Sequence, residues 1–148
     1  MTKLNAQWQQ FKSGTDIRGV ASEGGPSPIN LTDDIVGRMA DGFILWLSQK
    51  ADKPCRELAI SIGHDSRISA PRLKAAVTAR LIRAGCRVLD CGLSSTPAMF
   101  QSTRALSCDG AVQLTASHHP FYRNGLKFFT PDGGLDGPDI ERILLFAQ

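Results

Sequence analysis

The amino-acid sequence predicts an α/β fold, a three-layer α/β/α sandwich around a mixed, mainly parallel sheet, on three observations. Short apolar runs alternate with helical periodicity in the order strand, helix, strand, helix, strand. Right-handed crossovers turn that order into a parallel sheet. Each helical segment carries one apolar stripe, so each can cover a sheet face. The chain has 148 residues, enough for one domain, residues 1–148, that buries most of its apolar surface.

Met1 to Gln10 is polar, and residues 11–30 are rich in Gly, Ser and Pro, with one extended run from Asp16 to Val20. Thr32, Asp33 and Asp34 read as an N-cap and an acidic first turn that suits the helix dipole. Val36, Met39, Ala40, Phe43 and Leu47 follow at helical spacing, so residues 33–50 form an amphipathic helix, with Leu31 and Val36 as its hydrophobic staple. Glu57 to Gly63 is a buried strand. Ser69 and Pro71 open a second helix, with Leu73, Ala76, Val77, Leu81 and Ala84 inward, and Gly85 stops it. Arg87 to Gly92 is a strand, Thr96-Pro97 starts a helix ending near Leu106, and Gly110 to Leu114 is again a strand. Leu126 to Phe129 is apolar and β-prone, Pro131-Asp132-Gly133-Gly134 is a turn, and Pro138 begins a last helix with Ile140, Ile143 and Leu144 inward. Trp8 and Trp46 read as packing residues.

Composition narrows the function. Hydrophobic residues make up 42% and charged residues 21%, ordinary for a globular protein. The net charge of +3 is spread along the chain, with no basic run to point to nucleic acid or a membrane surface. No run approaches the roughly 20 apolar residues of a membrane span, and Met1 to Gln10 lacks a signal-peptide core. Cys55, Cys86, Cys91 and Cys108 form no C-x-x-C pair and have no His at zinc-ligand spacing. They read as reduced, structural thiols, and a cytoplasmic setting is expected.

Ligands of open α/β sheets bind beyond the carboxyl ends of the strands. Two polar segments stand there: His64-Asp65-Ser66-Arg67 and Thr115-Ala116-Ser117-His118-His119-Pro120. The second continues as TASHHPFYRNGLK, in which an Asn124-Gly125 turn precedes Lys127. Serine, imidazole and ammonium together supply a nucleophile, a proton carrier and positive charge for a dianion, which suits phosphoryl transfer. Taken alone, this spacing also fits a Ser/His loop that merely caps the strand end.

TASHHPFYRNGLK resembles the T-A-S-H-N-P…N-G-x-K signature of the α-D-phosphohexomutases, the family of phosphoglucomutase and phosphomannomutase. Phe11 to Gly19, FKSGTDIRG, is similar to that family's opening motif, and Gly63 to Arg67, GHDSR, to its G-x-D-x-R segment. The resemblance covers residues 11–137 and implies the family's first domain, which bears the phosphoserine. It implies that Ser117 carries the phosphoryl group and exchanges it with hexose phosphates through a bisphosphate, with hexose 1,6-bisphosphate as activator. It implies Lys127 as general acid–base, His118 beside the phosphoserine, and Arg18, His119 and Asn124 as phosphate- or substrate-binding residues. Mg²⁺ is implied too, held mainly by another domain, with Ser117 contributing an oxygen of its phosphate.

Several roles stay open at this stage. His118 flanks the phosphate or only orients the loop. Asp65 and Arg67 brace neighbouring loops as an ion pair, and His64 is structural. His119 departs from the signature's Asn with a larger, titratable ring. The acidic metal loop, the sugar-selecting loop and the last phosphate-binding domain of the family have no counterpart here. The chain alone is therefore expected to fold without turning over substrate, its partners being the remaining domains. The competing reading is a non-catalytic sugar-phosphate-binding or interaction module of the same descent. A dinucleotide-binding domain is disfavoured, because no G-x-G-x-x-G follows a strand.

Overall fold

The computed structural model describes residues 2–148. Asn5 caps a short helix, α1 (Ala6–Gln9), by accepting from the Trp8 amide. Trp8 packs edge-on against Phe11 with ring centroids 5.9 Å apart. Strands β1 (Lys12–Ser13) and β2 (Asp16–Val20) then form a hairpin, of which the sequence announced only the second arm.

Helix α2 (Asp33–Ala51) starts as its cap predicts, with Thr32 Oγ1 accepting from the Ile35 amide at 3.3 Å. A 3₁₀ turn at Cys55–Glu57 delays β3 (Ala59–His64) by two residues from its expected start. There follow α3 (Ala70–Arg83), β4 (Arg87–Leu93), α4 (Thr96–Ala105) and β5 (Gly110–Leu114). The chain ends in β6 (Arg123–Thr130), β7 (Gly133–Gly134) and α5 (Gly137–Ala147), the last opened by an Asp136/Asp139 capping box.

The seven strands form one sheet in the order β1-β2-β6-β5-β3-β4, with β7 beside β6. The sheet is mixed, as expected, but its balance differs from the mainly parallel one expected. Only β3 with β4 and β3 with β5 run parallel, and the other pairs are antiparallel. The cause is the 115–122 connection, which carries no helix and is too short for a crossover, so β6 folds back antiparallel on β5.

Helices α2, α3 and α5 cover one face of the sheet, where Ile60, Ile62, Val112, Leu114, Leu126 and Phe128 point. At Gly42 of α2 an added Cβ would meet the Ile143 carbonyl, so glycine lets α2 and α5 approach backbone to backbone. The second face is covered by α4, which packs on β3, β5 and β6 around Met99, Ala111 and Phe129. Beyond it, the second face of β2 and of the start of β6 carries charged side chains. Trp8 and Trp46 are both buried packing residues. The four cysteines are free, and burial pushes the Cys86 thiol up to about 11, which makes it inert. No helix among the described residues is long and apolar enough to cross a membrane.

Candidate active site

The two loops singled out from the sequence meet at the carboxyl ends of β3 and β5, and Arg67 ties them together. Its Nη1 donates to the carbonyls of Pro120 at 2.7 Å and Arg123 at 3.0 Å. Its Nη2 donates to those of Ser117 and His119, both at 2.8 Å. Asp65 lies 3.5 Å from Arg67 Nε and accepts from Thr115 Oγ1 at 2.7 Å, while Thr115 Oγ1 accepts from the Ser117 amide at 3.0 Å. The bracing role expected of Asp65 and Arg67 thus extends to the whole serine loop. A guanidinium suits this work because its planar fork supplies several donors in fixed directions.

Ser117 is held in the left-handed region, φ +54°, and is exposed beside a cleft of about 530 Å³ lined by Arg67, Ile68, His119 and Phe121. A non-glycine residue there is strained, by about 1–2 kcal/mol. Ser117→Gly is accordingly expected to raise the stability of the chain by about 1 kcal/mol in urea denaturation. An unchanged or lower midpoint would show that the loop holds no such strain.

His118 Nδ1 lies 3.3 Å from Ser117 Oγ, and its ring stacks on that of His119 with centroids 5.2 Å apart. The pKa of His119 is pulled down, by burial first and then by Arg123, Arg18, His118 and Arg67. Cations so placed disfavour the charged form of the ring.

The other half of the site stands on the sheet. Alternation along β2 and β6 puts Asp16 and Arg18, and Arg123 and Lys127, on the second face. Arg18 pairs with Gly125, where an added Cβ would lie 2.8 Å from its guanidinium and would overlap the Ile17 carbonyl. Only glycine lets Arg18 cross β6 to donate from Nη1 to the Thr115 carbonyl at 2.6 Å. Asp16 bridges both cations, at 2.9 Å from Arg18 and 3.0 Å from Lys127. Arg18 is 5% exposed; burial draws its pKa down from the ordinary arginine value, and Asp16 opposes that.

Ser117, His118, His119, Arg18 and Lys127 therefore stand toward one end of the sheet, whereas Asn124 lies on its other face. It is fully buried on the α3 side, with its amide donating to Ser69 Oγ at 2.8 Å and accepting from the Gly125 amide at 2.9 Å. It locks β6 to the start of α3, on the face away from the site. The sequence reading missed Asp16 and Arg123 as members of the site. The period-two spacing of Asp16 with Arg18, and of Arg123 with Lys127, was the available signal.

Among the described residues no three of His, Cys, Asp and Glu stand close enough to hold a metal ion. The nearby carboxylates, Asp16 and Asp65, are engaged by Arg18, Lys127, Arg67 and Thr115. The side chains left over on this surface are mainly cationic.

Residues 9–145 match the family profile described as phosphoglucomutase/phosphomannomutase, alpha/beta/alpha domain I. The chain is 36% identical over 140 residues to a phosphoglucosamine mutase of Moorella thermoacetica, covering 91% of this chain and 29% of that one. It is 41% identical over 128 residues to a phosphoglucosamine mutase of Cupriavidus pinatubonensis, covering 86% and 28%. In structure it is similar to a phosphoglucomutase/phosphomannomutase family protein from Burkholderia thailandensis, with a TM-score of 0.76 at 24% identity, covering 97% of this chain and 30% of that one. The chain thus spans less than a third of the length of these relatives.

Proposed function

Because the chain belongs to the phosphoglucomutase/phosphomannomutase family, as its α/β/α domain I, we propose that it is the phosphoserine-bearing part of a hexose-phosphate mutase. The observation that supports this best is the setting of Ser117. Its hydroxyl is exposed at the end of β5, on a loop fixed through four carbonyls and two residues from the Thr115 carbonyl that Arg18 reaches. A binding module would need the cations but not a strained, exposed hydroxyl among them.

In the proposed step a sugar hydroxyl attacks the phosphorus on Ser117. The new P–O bond forms as the P–Oγ bond breaks, the hydroxyl proton passes to a base, and Oγ takes up a proton. Reversal with the other phosphate of the bisphosphate restores phosphoserine. Lys127 is the proposed acid–base, and Arg18 holds the Thr115 backbone next to the transferring group. Mg²⁺ would neutralise phosphoryl oxygens, with Ser117 contributing an oxygen of its phosphate and another domain the carboxylates. The remaining family domains would supply the groups that this chain lacks, and turnover is assigned to the longer protein. The substrate class is a hexose or hexosamine phosphate in a cytoplasmic setting.

The test is phosphoryl incorporation by the full-length protein from glucose 1,6-bisphosphate or glucosamine 1,6-bisphosphate, read by intact mass and peptide mapping. One phosphoryl unit on Ser117, absent in Ser117→Ala, is expected. A phosphoryl group on another residue only, or full turnover by Ser117→Ala, would sink the assignment.

A further inference from the structure

The face beyond α4 carries a cation, Arg123, to which the proposed phosphoryl transfer gives no role. The pairing of Val20 with Arg123 and of Arg18 with Gly125 sets Arg123 diagonally beside Arg18, on the same face as Lys127. The ion pairs of this surface are Asp16 with Arg18 and Lys127, and Asp65 with Arg67. Arg123 enters none of them, and its buried Nε has no hydrogen-bond partner among the described residues. An arginine left out of the ion pairs of its surface keeps its charge available to an anion.

The backbone of Arg123 is fixed all the same. Its carbonyl accepts from Arg67 at 3.0 Å and its amide donates to the Pro120 carbonyl at 3.0 Å. Arg123 thus stands on the same scaffold as Ser117 and His119, both of whose carbonyls Arg67 also holds. Its charge reaches His119 and Arg18, and contributes to lowering the pKa of each. Arg18, Arg123 and Lys127 against Asp16 leave two positive charges in surplus, the charge of a phosphate monoester with its sign reversed.

We propose that Arg123 is a phosphoryl-binding residue, whose free guanidinium, with the His119 ring nearby, takes a phosphate-monoester dianion at the Ser117 loop. The inference rests on the reading of this surface as a phosphoryl-transfer site and adds a residue to it. The guanidinium fork can donate two parallel N–H bonds to two phosphate oxygens. The dianion has two possible sources, the group carried by Ser117 and the phosphate of an incoming sugar.

Two measurements on this chain separate them. The first is titration with inorganic phosphate at low salt, followed by amide shifts across residues 115–127. Arg123→Met is expected to weaken binding about tenfold, as for one charge-assisted contact. Arg123→Lys should fall between, and Arg142→Gln, on α5, should match the parent. The second places phosphoserine at position 117 and follows its ³¹P titration, whose midpoint should rise when Arg123 becomes Met. A change in the first measurement alone assigns Arg123 to the sugar phosphate, and a change in the second includes the serine's own phosphate. Arg123→Lys carries both tests if Arg123→Met fails to fold. Equal affinities and an unmoved midpoint overturn the proposal, while phosphate shifts at residues 115–127 would leave the phosphoryl-transfer reading standing. A parent chain that shows no shift there overturns both.

Discussion

Lys127→Met, made in the full-length protein, is expected to lower the kcat of the proposed phosphoryl transfer by about 10²–10⁴ with a far smaller change in KM. The ammonium stands on β6, a central strand, 3.0 Å from Asp16 and fixed in register opposite Gln113 of β5. Its position is therefore set by the sheet, and removing the amine leaves a hole in function with little change in fold. A proton carrier acts only in the transition state, so the loss should appear in turnover. Lys127→Arg should not restore the rate, because a guanidinium does not give up its proton near neutral pH. Steady-state kinetics with stability checked by urea midpoint decide the matter. Unchanged turnover in Lys127→Met would pass the role to His118, whose Nδ1 lies 3.3 Å from Ser117 Oγ.

Arg67→Ala is expected to cost about 3 kcal/mol of stability and to abolish phosphorylation of Ser117, although Arg67 is assigned no contact with the transferring group. Four carbonyls between Ser117 and Arg123 lose the guanidinium at once, and of these the Pro120 carbonyl keeps the Arg123 amide. Asp65 loses its cation and keeps only Thr115 and the Arg67 amide. Part of the loss is softened by water, because the Ser117 and Pro120 carbonyls lie near the surface. Arg67→Lys should recover little, since a single ammonium cannot span four acceptors. The checks are the urea midpoint and amide hydrogen exchange of residues 115–123. An Arg67→Ala chain of parental stability with a protected loop would show that the loop holds itself.

The helices and central strands were legible because each depends on a local pattern. The cap at Thr32, the stripe from Val36 to Leu47 and the stop at Gly85 act within a few residues of themselves. The balance of the sheet was not legible. Whether β6 lies parallel or antiparallel to β5 depends on the helix-free 115–122 connection, and a polar loop does not announce its direction. The β1 arm is two residues long, too short for a period to show. For the candidate site, Ser117, His118, Arg18 and Lys127 were singled out through motifs. Asn124 shows the limit of that route, since its motif position is retained while its side chain is buried against Ser69. Asp16 and Arg123 needed the register of β2 on β6, which exists only after folding.

That register also bears on the fidelity of folding. Side chains of a strand alternate between faces, so a slip of β2 by one residue against β6 would exchange them all. Arg18 and Asp16 would both be driven into the apolar core, parted from Lys127, and Ile17, now fully buried, would be lifted into water. Gly125 tightens the choice, because the guanidinium crosses β6 only at that notch. The wrong pairing would combine charges buried in an apolar layer with a lost apolar contact, two of the more costly faults a sheet can contain. The charges that would serve phosphoryl transfer thus proofread the assembly of the sheet, and a chain that reaches the correct pairing has aligned its cations in the same event.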